Sequence, residues 1–439
     1  MGAERISYRI HPRFSIAIKP RFCEGLAMNS YLSEWLNLIL RWFHLVAGIS
    51  WIGSSFYFMW LDKSLEAPKI AREGVDGALW MCHSGGFYQV EKRRLGPGSM
   101  PEVLHWFKWE AAFTWLSGIT LLAVVFYLSD SAYLIDPARS NLNHAQASAI
   151  GMGVLVTTWF AYDLLWNSKI GKSQAALALA LSLGLMAAIS WWLSDLFTGR
   201  GAFLHVGAML GTIMVLNVWA RILPAQRKMI AATKDGRTPD FNLGKAAKRR
   251  SVHNSYMTLP VLFIMISNHF PSLYSGPWNW AVLLLMTFVG GGIRHMQIVG
   301  TRRVAWMVIP ITAALATVIW VCAPKQSPKI SQSSGAKAPK FAQVWSIIQE
   351  RCATCHSQNP TDDTFTVAPA GMMFDDPRQA KAFAARVKFR AVESHTMPFG
   401  NKTNITEDER QILGNWVDSG ANINAASDVV GTDGGKSSQ

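Results

Sequence analysis

The hydrophobic positions fall into long unbroken runs rather than into alternating or amphipathic stripes. Eight runs approach or exceed the roughly 18 residues needed to cross a bilayer core of about 30 Å. They span 34–61, 106–128, 144–166, 173–196, 202–223, 253–269, 278–299 and 303–322. The sixth is the shortest and carries Pro260, which a membrane helix tolerates when neighbours satisfy the freed carbonyl. So many runs do not fit a soluble domain. The fold class read from this pattern is all-α: a polytopic bundle of about eight transmembrane helices over 34–323.

Charge sets the expected orientation. Lys63, Lys69, Arg72, Lys92, Arg93, Arg94, Lys169, Lys172, Arg227, Lys228, Lys234, Arg237, Lys245, Lys248, Arg249, Arg250, Arg302 and Arg303 read as loop charges after helices one, three, five and seven. The alternate loops carry only Arg139 and Arg200. The positive-inside rule puts the first set in the cytoplasm and the C-terminal end outside, across the inner membrane. The N-terminal tail (1–33) disagrees, because Arg5, Arg9, Arg13, Lys19 and Arg21 would be exported with it. A natural start at Met28 resolves this. The chain of 439 residues is 50% hydrophobic and 16% charged, with 19 Trp and a net charge of +14. The low charged share and the Trp load suit a membrane protein. The positive charge, confined to one set of loops, argues topology and no nucleic-acid partner.

The pattern changes after Cys322. Residues 324–340 are rich in Pro, Ser, Lys and Gly, the composition of a flexible linker. Residues 341–426 read as a small soluble helical domain, and 427–439 as a Gly/Ser-rich disordered tail. Cys352-Ala353-Thr354-Cys355-His356 is a C-x-x-C-H motif, the signature of covalent c-type haem attachment. Two thiols, Cys352 and Cys355, add to the haem vinyl groups, and His356 reaches the iron. A zinc site would need further ligands, and this domain adds only His395. A thioredoxin-like pair would need a βαβ setting. Thr396-Met397-Pro398-Phe399-Gly400-Asn401 resembles the axial-methionine loop of small cytochromes c, so Met397 is the expected second iron ligand, with Met372 and Met373 as rivals. Met/His ligation raises a cytochrome's potential. Thr406 and Glu409 have capping-box spacing. Cys23, Cys82 and Cys322 are scattered and suggest no disulfide framework.

Ionisable groups inside membrane helices are costly and point to function. Arg41 and His44 share a face of helix one. Glu110 lies in helix two, Asp163 in helix three, His205, Asn217 and Arg221 in helix five, and Arg294, His295 and Gln297 in helix seven. His44 and His205 read as haem b ligands, substrate contacts or packing residues. Gly48, Gly207 and Gly211 leave room beside them for a helix or a flat ligand. His105, His253, His144 and His269 read as interfacial.

Residues 28–426 resemble the bacterial membrane-bound urate oxidases (urate hydroxylases) with a fused C-terminal cytochrome c. The resemblance rests on Ser33-Glu34-Trp35-Leu36-Asn37-Leu38, Arg41-Trp42-Phe43-His44, Trp51-Ile52-Gly53-Ser54-Ser55-Phe56-Tyr57, Gly85-Gly86-Phe87-Tyr88, Leu104-His105-Trp106-Phe107-Lys108-Trp109-Glu110-Ala111 and His205-Val206-Gly207-Ala208-Met209, with the terminal cytochrome segment. It implies oxidation of urate to 5-hydroxyisourate without hydrogen peroxide. Electrons would leave through the fused haem c to a downstream cytochrome c or terminal oxidase. Urate is a flat anion whose site should offer a cation, amide groups and an aromatic face. Arg41, Glu110, Arg221, Arg294 and Gln297 are the candidates, with Glu110 as proton acceptor. Two other classes compete: a quinol-to-cytochrome relay, and a transporter or sensor whose cytochrome reports redox state.

The topology has a direct test. Alkaline phosphatase fused after Ala426 is expected to be active and a cytoplasmic reporter at the same point silent; the reverse pattern removes the eight-helix arrangement.

Overall fold

The computed structural model describes residues 30–68, 72–128, 133–136, 140–323, 339–362, 365 and 368–423. The expectations for the segment before Met28, Lys69, Arg139, most of the linker and the tail fall outside these residues.

Eight long helices correspond to the eight apolar runs. They are α1 (Ser30–Ser64), α2 (Trp109–Leu122, continued by a π-helical turn to Tyr127), α3 (His144–Asn167) and α4 (Ala175–Leu196). Next come α5 (Gly199–Leu216), α6 (Phe241–Ser267), α7 (Asn279–Val299) and α8 (Val308–Val321). A π-helical stretch, Asn217–Ile222, carries α5 into the helix Leu223–Lys234. Among the described residues seven helices are long and apolar enough to cross a membrane; α6 is not in that set. It starts twelve residues before the run that marks it and carries Lys245, Lys248, Arg249 and Arg250 in its first half. Several charges read as loop residues therefore sit on helices. Arg250 is even buried, at 3% exposure.

The all-α expectation needs one amendment. Strands β1 (Val75–His83) and β2 (Gly86–Arg93) pair antiparallel, with Cys82 opposite Phe87. Ser84 and Gly85, both at positive φ (50° and 78°), make the two-residue turn, whose twist suits a hairpin. Asp62 at the end of α1 accepts from Lys92 (2.7 Å) and from Lys248 (2.5 Å), tying the hairpin to α1 and α6.

α5 is the centre of the bundle. Phe203, His205, Val206 and Met209 are essentially inaccessible, and they pack with Phe126, Leu193, Phe197, Ile264, Val282 and Leu283 from α2, α4, α6 and α7. In lipid there is little hydrophobic drive between helices, so close approach through small residues supplies the packing. At Gly207 an added Cβ would lie 2.7 Å from Ile264 Cγ2. That glycine is occupied by a helix, not by a flat ligand. At Gly48 the nearest atom is Thr114 Cγ2 at 3.9 Å, and at Gly211 nothing lies within 4 Å.

The C-terminal segment folds as α9 (Phe341–Arg351), the short helices α10 (Pro377–Ala382) and α11 (Ala384–Val387), and α12 (Glu407–Asp418). Phe341, Val344 and Ile348 of α9 pack with Leu413 and Trp416 of α12 in a core of its own. Thr406 caps α12 and Glu409 returns the bond, the reciprocal box its spacing predicts. This segment meets the helical bundle where the Phe399 ring lies 4.3 Å from the Tyr133 ring, centroid to centroid.

Gly207→Leu is expected to force α5 from α6 and to cost about 1–3 kcal/mol, the usual penalty of overpacking. A thermal melt of the purified protein checks this: an unchanged midpoint would show that the α5–α6 contact does not hold the bundle.

Candidate functional site

The two histidines singled out in the bundle are held apart. His44 Nδ1 lies 2.9 Å from the Thr114 carbonyl and 3.0 Å from Ser117 Oγ, with the ring against Gly118. His205 Nδ1 donates to the Gly201 carbonyl (2.7 Å) and its Nε2 meets the Tyr127 hydroxyl at 2.9 Å. Gly151 of α3 gives the pair room, since a Cβ there would lie 2.6 Å from His205 Nε2. The two imidazoles thus face positions 114–118 and 127 along α2, separated by roughly 13 Å at 1.5 Å per residue. An iron shared by both would need each nitrogen about 2 Å away, so they do not fit as an axial pair for haem b. Both nitrogens of His205 already have partners.

Polar chemistry concentrates at the end of the bundle that carries the hairpin. Four consecutive residues of α6 reach four different helices. His253 Nδ1 bonds the Tyr162 hydroxyl of α3 (2.7 Å). Asn254 accepts from Asn217 of the π-helical stretch (2.9 Å) and donates to the Met214 carbonyl of α5 (2.8 Å). Ser255 Oγ accepts from Arg294 Nε of α7 (2.9 Å) and contacts Met59 Sδ of α1 (2.7 Å). Tyr256 bonds His295 Nδ1 (2.7 Å).

Two cationic centres flank this turn, one of them half-formed by the exposed Arg221. Asp163 accepts from Arg250 (2.9 Å) and from Arg221, whose Nε lies 2.9 Å from Oδ1. Two guanidinium groups thus face one carboxylate, and the Arg250 guanidinium stands 5.0 Å from the Tyr162 ring centre. Arg294, 4% exposed, has only neutral partners: Ser255, Gln297 Oε1 (2.8 Å), Met59 Sδ (2.9 Å) and the Phe56 ring, 3.8 Å away. Among the described residues no carboxylate pairs with it. A buried charge without a counter-charge is costly, so Arg294 favours an anion, whereas Arg250 already faces Asp163 and Arg221 is open to solvent. Of the other candidates, Arg41 is exposed and bonds Asn37 one turn back. Glu110 sits in the first turn of α2, where a carboxylate complements the helix dipole. Its Oε2 is buried without a partner among the described residues. Sequence position alone marks Asn217, Arg221, Arg294 and Gln297, and presents His253 as interfacial and Arg250 as a loop charge. The signal for the last two is the spacing of Arg250, His253 and Asn254 by three and four, one face of a helix.

In the C-terminal segment α9 ends at Arg351, directly before the C-x-x-C-H motif. Arg351 binds both oxygens of Glu409 (Nη2 to Oε1, 3.0 Å) and the Thr403 carbonyl (2.8 Å). Burial pushes the Cys352 thiol up to about 12 and also raises Cys355. A metal would require thiolates, whereas a thioether sulfur is neutral and suits such a setting. Among the described residues no group of three or more His, Cys, Asp and Glu side chains comes together as a metal site. His356 is kept neutral by burial, against the opposing bond to the Met372 carbonyl (3.0 Å from Nδ1). That bond puts the proton on Nδ1 and would leave Nε2 as the atom able to take an iron. The chemistry of these donors fits covalent haem. Met372 supplies the carbonyl that orients His356. Met397 comes from a separate loop, whose carbonyl accepts from the buried Arg410 (2.8 Å).

The protein is thus a bundle of long apolar helices with a buried polar layer, joined to a small helical domain bearing C-x-x-C-H. The family description "Urate oxidase N-terminal" matches residues 30–323, so the chain belongs to that family, and the match makes it an oxidoreductase related to urate oxidation. No curated protein and no solved structure matches the chain.

Glu409 gives a pH test. Burial alone would raise its carboxyl, but the bonds from Arg351 and the Thr406 amide outweigh it and hold it below the usual range. Its contribution is therefore complete above the ordinary glutamate pKa of about 4.3 and is lost as pH falls through the lowered folded value. Glu409→Gln is expected to cost about 1 kcal/mol at neutral pH and little in strong acid, read as faster amide exchange across 341–418 in the full chain. Equal loss at both pH values would contradict it.

Proposed function

We propose that this chain is a membrane-bound urate-oxidising enzyme, converting urate to 5-hydroxyisourate, whose electrons leave through its own c-type cytochrome domain to a downstream cytochrome c or terminal oxidase. The observation that carries the reading is the joining, in one chain, of a urate oxidase family domain over 30–323 with a C-x-x-C-H module whose His356 is oriented through Nδ1. Seven helices apolar enough to cross a membrane, with α6 as the eighth span, support an inner-membrane bundle. The loop charges support a cytochrome domain on the periplasmic side.

Cys352 and Cys355 would hold the haem, with His356 and Met397 as axial ligands. Haem c, when bound, supplies a one-electron acceptor in place of oxygen. The remaining work falls to the bundle. Oxidation of urate to 5-hydroxyisourate removes two electrons and two protons overall and adds water-derived oxygen, so proton acceptors and anion-holding groups are required. Glu110 is the proposed proton acceptor, its buried Oε2 lacking a partner among the described residues. Arg294, without a carboxylate, is a proposed holder of negative charge, and Arg41 the outermost cationic candidate. The Phe399–Tyr133 contact sets the loop of Met397 against the bundle, a contact through which electrons would pass between the two halves.

The test is anaerobic mixing of oxidised protein with urate, followed at the cytochrome α-band. The band is expected to appear with urate. Reduction by a quinol alone would replace this reading with a quinol relay. Met397→Ala should keep the haem attached, abolish the far-red sulfur-to-iron band and lower the potential; persistence of that band would move the ligand to Met372 or Met373.

A further inference from the structure

Phe56, Met59 and Lys63 are spaced by three and four along α1, so they share one face, and that face meets α7. The Arg294 guanidinium stands 3.8 Å from the Phe56 ring centre, and its Nη2 lies 2.9 Å from Met59 Sδ. One turn further, Lys63 Nζ donates to the Gln297 carbonyl (3.2 Å). Gln297 Oε1 in turn accepts from Arg294. Lys63 therefore closes the contact between α1 and α7 at the hairpin end. It can do so because α7 is followed by Gly300. That residue stands at φ 105°, where glycine alone is at ease, and a Cβ there would lie 3.6 Å from Lys63 Nζ.

A groove of about 540 Å³ opens at this joint, lined by Lys63, Arg302 and Arg303 and by the stretch 298–301. Among the described residues none of the three cations has a carboxylate partner. Asp62, beside Lys63 in sequence, is taken by Lys92 and Lys248. Three positive charges around one groove repel one another and favour a shared anion. The lining side chains offer ammonium, guanidinium and hydroxyl donors, the last from Thr301, but no ring and no amide. Such a set suits phosphate, whose oxygens accept from every side, better than a flat heterocycle. Ile298 and Val299 give the groove an apolar wall. Beyond it, Trp306 on the 3-10 stretch before α8 and Ile309 in the first turn of α8 are 66% and 76% exposed. Tryptophan collects at the membrane–water interface.

We propose that this groove binds the headgroup of an anionic phospholipid of the cytoplasmic leaflet, with the phosphodiester among Lys63, Arg302 and Arg303 and the acyl chains along Trp306 and Ile309. The inference rests on the reading of the chain as a membrane protein with its basic loops inside, and does not depend on urate being the substrate. Basic pockets between helix ends on the cytoplasmic side hold such lipids in other membrane proteins. The bound phosphate offsets the mutual repulsion of the three cations and holds the end of α1 against α7. Through Lys63 and Gln297 it also keeps Phe56 and Met59 on Arg294.

The experiment titrates dioleoylphosphatidylglycerol into the detergent-purified full chain and counts bound lipid by native mass spectrometry. Thermal melts run beside it in nanodiscs of phosphatidylcholine with and without phosphatidylglycerol. Wild type is expected to take up phosphatidylglycerol in preference to phosphatidylcholine and to melt higher when it is present. Arg302→Gln combined with Arg303→Gln should weaken uptake roughly thirtyfold and erase the difference in melting. Should that double variant fail to fold, either single change decides, at roughly fivefold. Lys228→Gln combined with Lys234→Gln removes the same charge from the helix Leu223–Lys234, outside the groove, and should change little. Equal loss in both doubles overturns the site as general surface charge, and undiminished uptake in the arginine double overturns it outright. Inorganic phosphate or glycerol phosphate that raises the melt as far as the lipid does replaces it with a site for a soluble anion. A full chain recovered from cells without detergent and free of lipid defeats the membrane reading and this site with it.

Discussion

Polar groups in an apolar bundle must find partners within the protein, because lipid supplies none. In this molecule that constraint is met largely by one turn of α6. His253, Asn254, Ser255 and Tyr256 bond, in order, to α3, to α5 and the π-helical stretch beyond it, to α7 with α1, and to α7 again. The turn fixes the spacing of the surrounding helices at the hairpin end and holds Arg250 and Arg294 inside the bundle. Removing one of these side chains strands its partner as well, and the stranded partner is the larger cost. The opposite end is built differently. There His205 and Tyr127 satisfy each other beside Gly151, among Phe126 and Phe197, and the layer is aromatic instead of charged.

The bundle is thus divided into a charged polar layer at one end and an aromatic layer at the other. At the far end the Tyr133 ring meets the Phe399 ring, two residues from the proposed iron ligand Met397. On the proposed reading, fusing the acceptor domain to the bundle would keep its effective concentration at roughly the millimolar level. The buried Arg410, bonded to the carbonyls of Ala391 and Met397, holds that loop in place from the cytochrome side.

The helices were legible in the sequence because apolar run length marks them: a helix overlaps each of the eight runs, although among the described residues only seven are apolar enough to cross a membrane and α6 is not one of them. The C-x-x-C-H motif and the Thr406–Glu409 box were legible because their chemistry is local. The hairpin was hidden by its flanking Lys and Arg residues, which read as loop charge; its one signal was the Ser84-Gly85 turn between two segments containing aromatic and β-branched residues. The polar layer was half legible. Asp163, Asn217 and Arg221 stand out inside apolar runs, but Arg250 and His253 lie before or at the edge of the sixth run, and only the helix extension to Phe241 brings them inside. The separation of His44 from His205 was not legible, since it depends on where each ring meets α2.

The central claim is that the bundle oxidises urate without giving electrons directly to oxygen. The most direct measurement is the oxygen source and electron count of a single turnover in ¹⁸O-water. The account predicts labelled 5-hydroxyisourate, no hydrogen peroxide, and one cytochrome reduced for each electron removed. Unlabelled product with hydrogen peroxide and an oxidised cytochrome would contradict it.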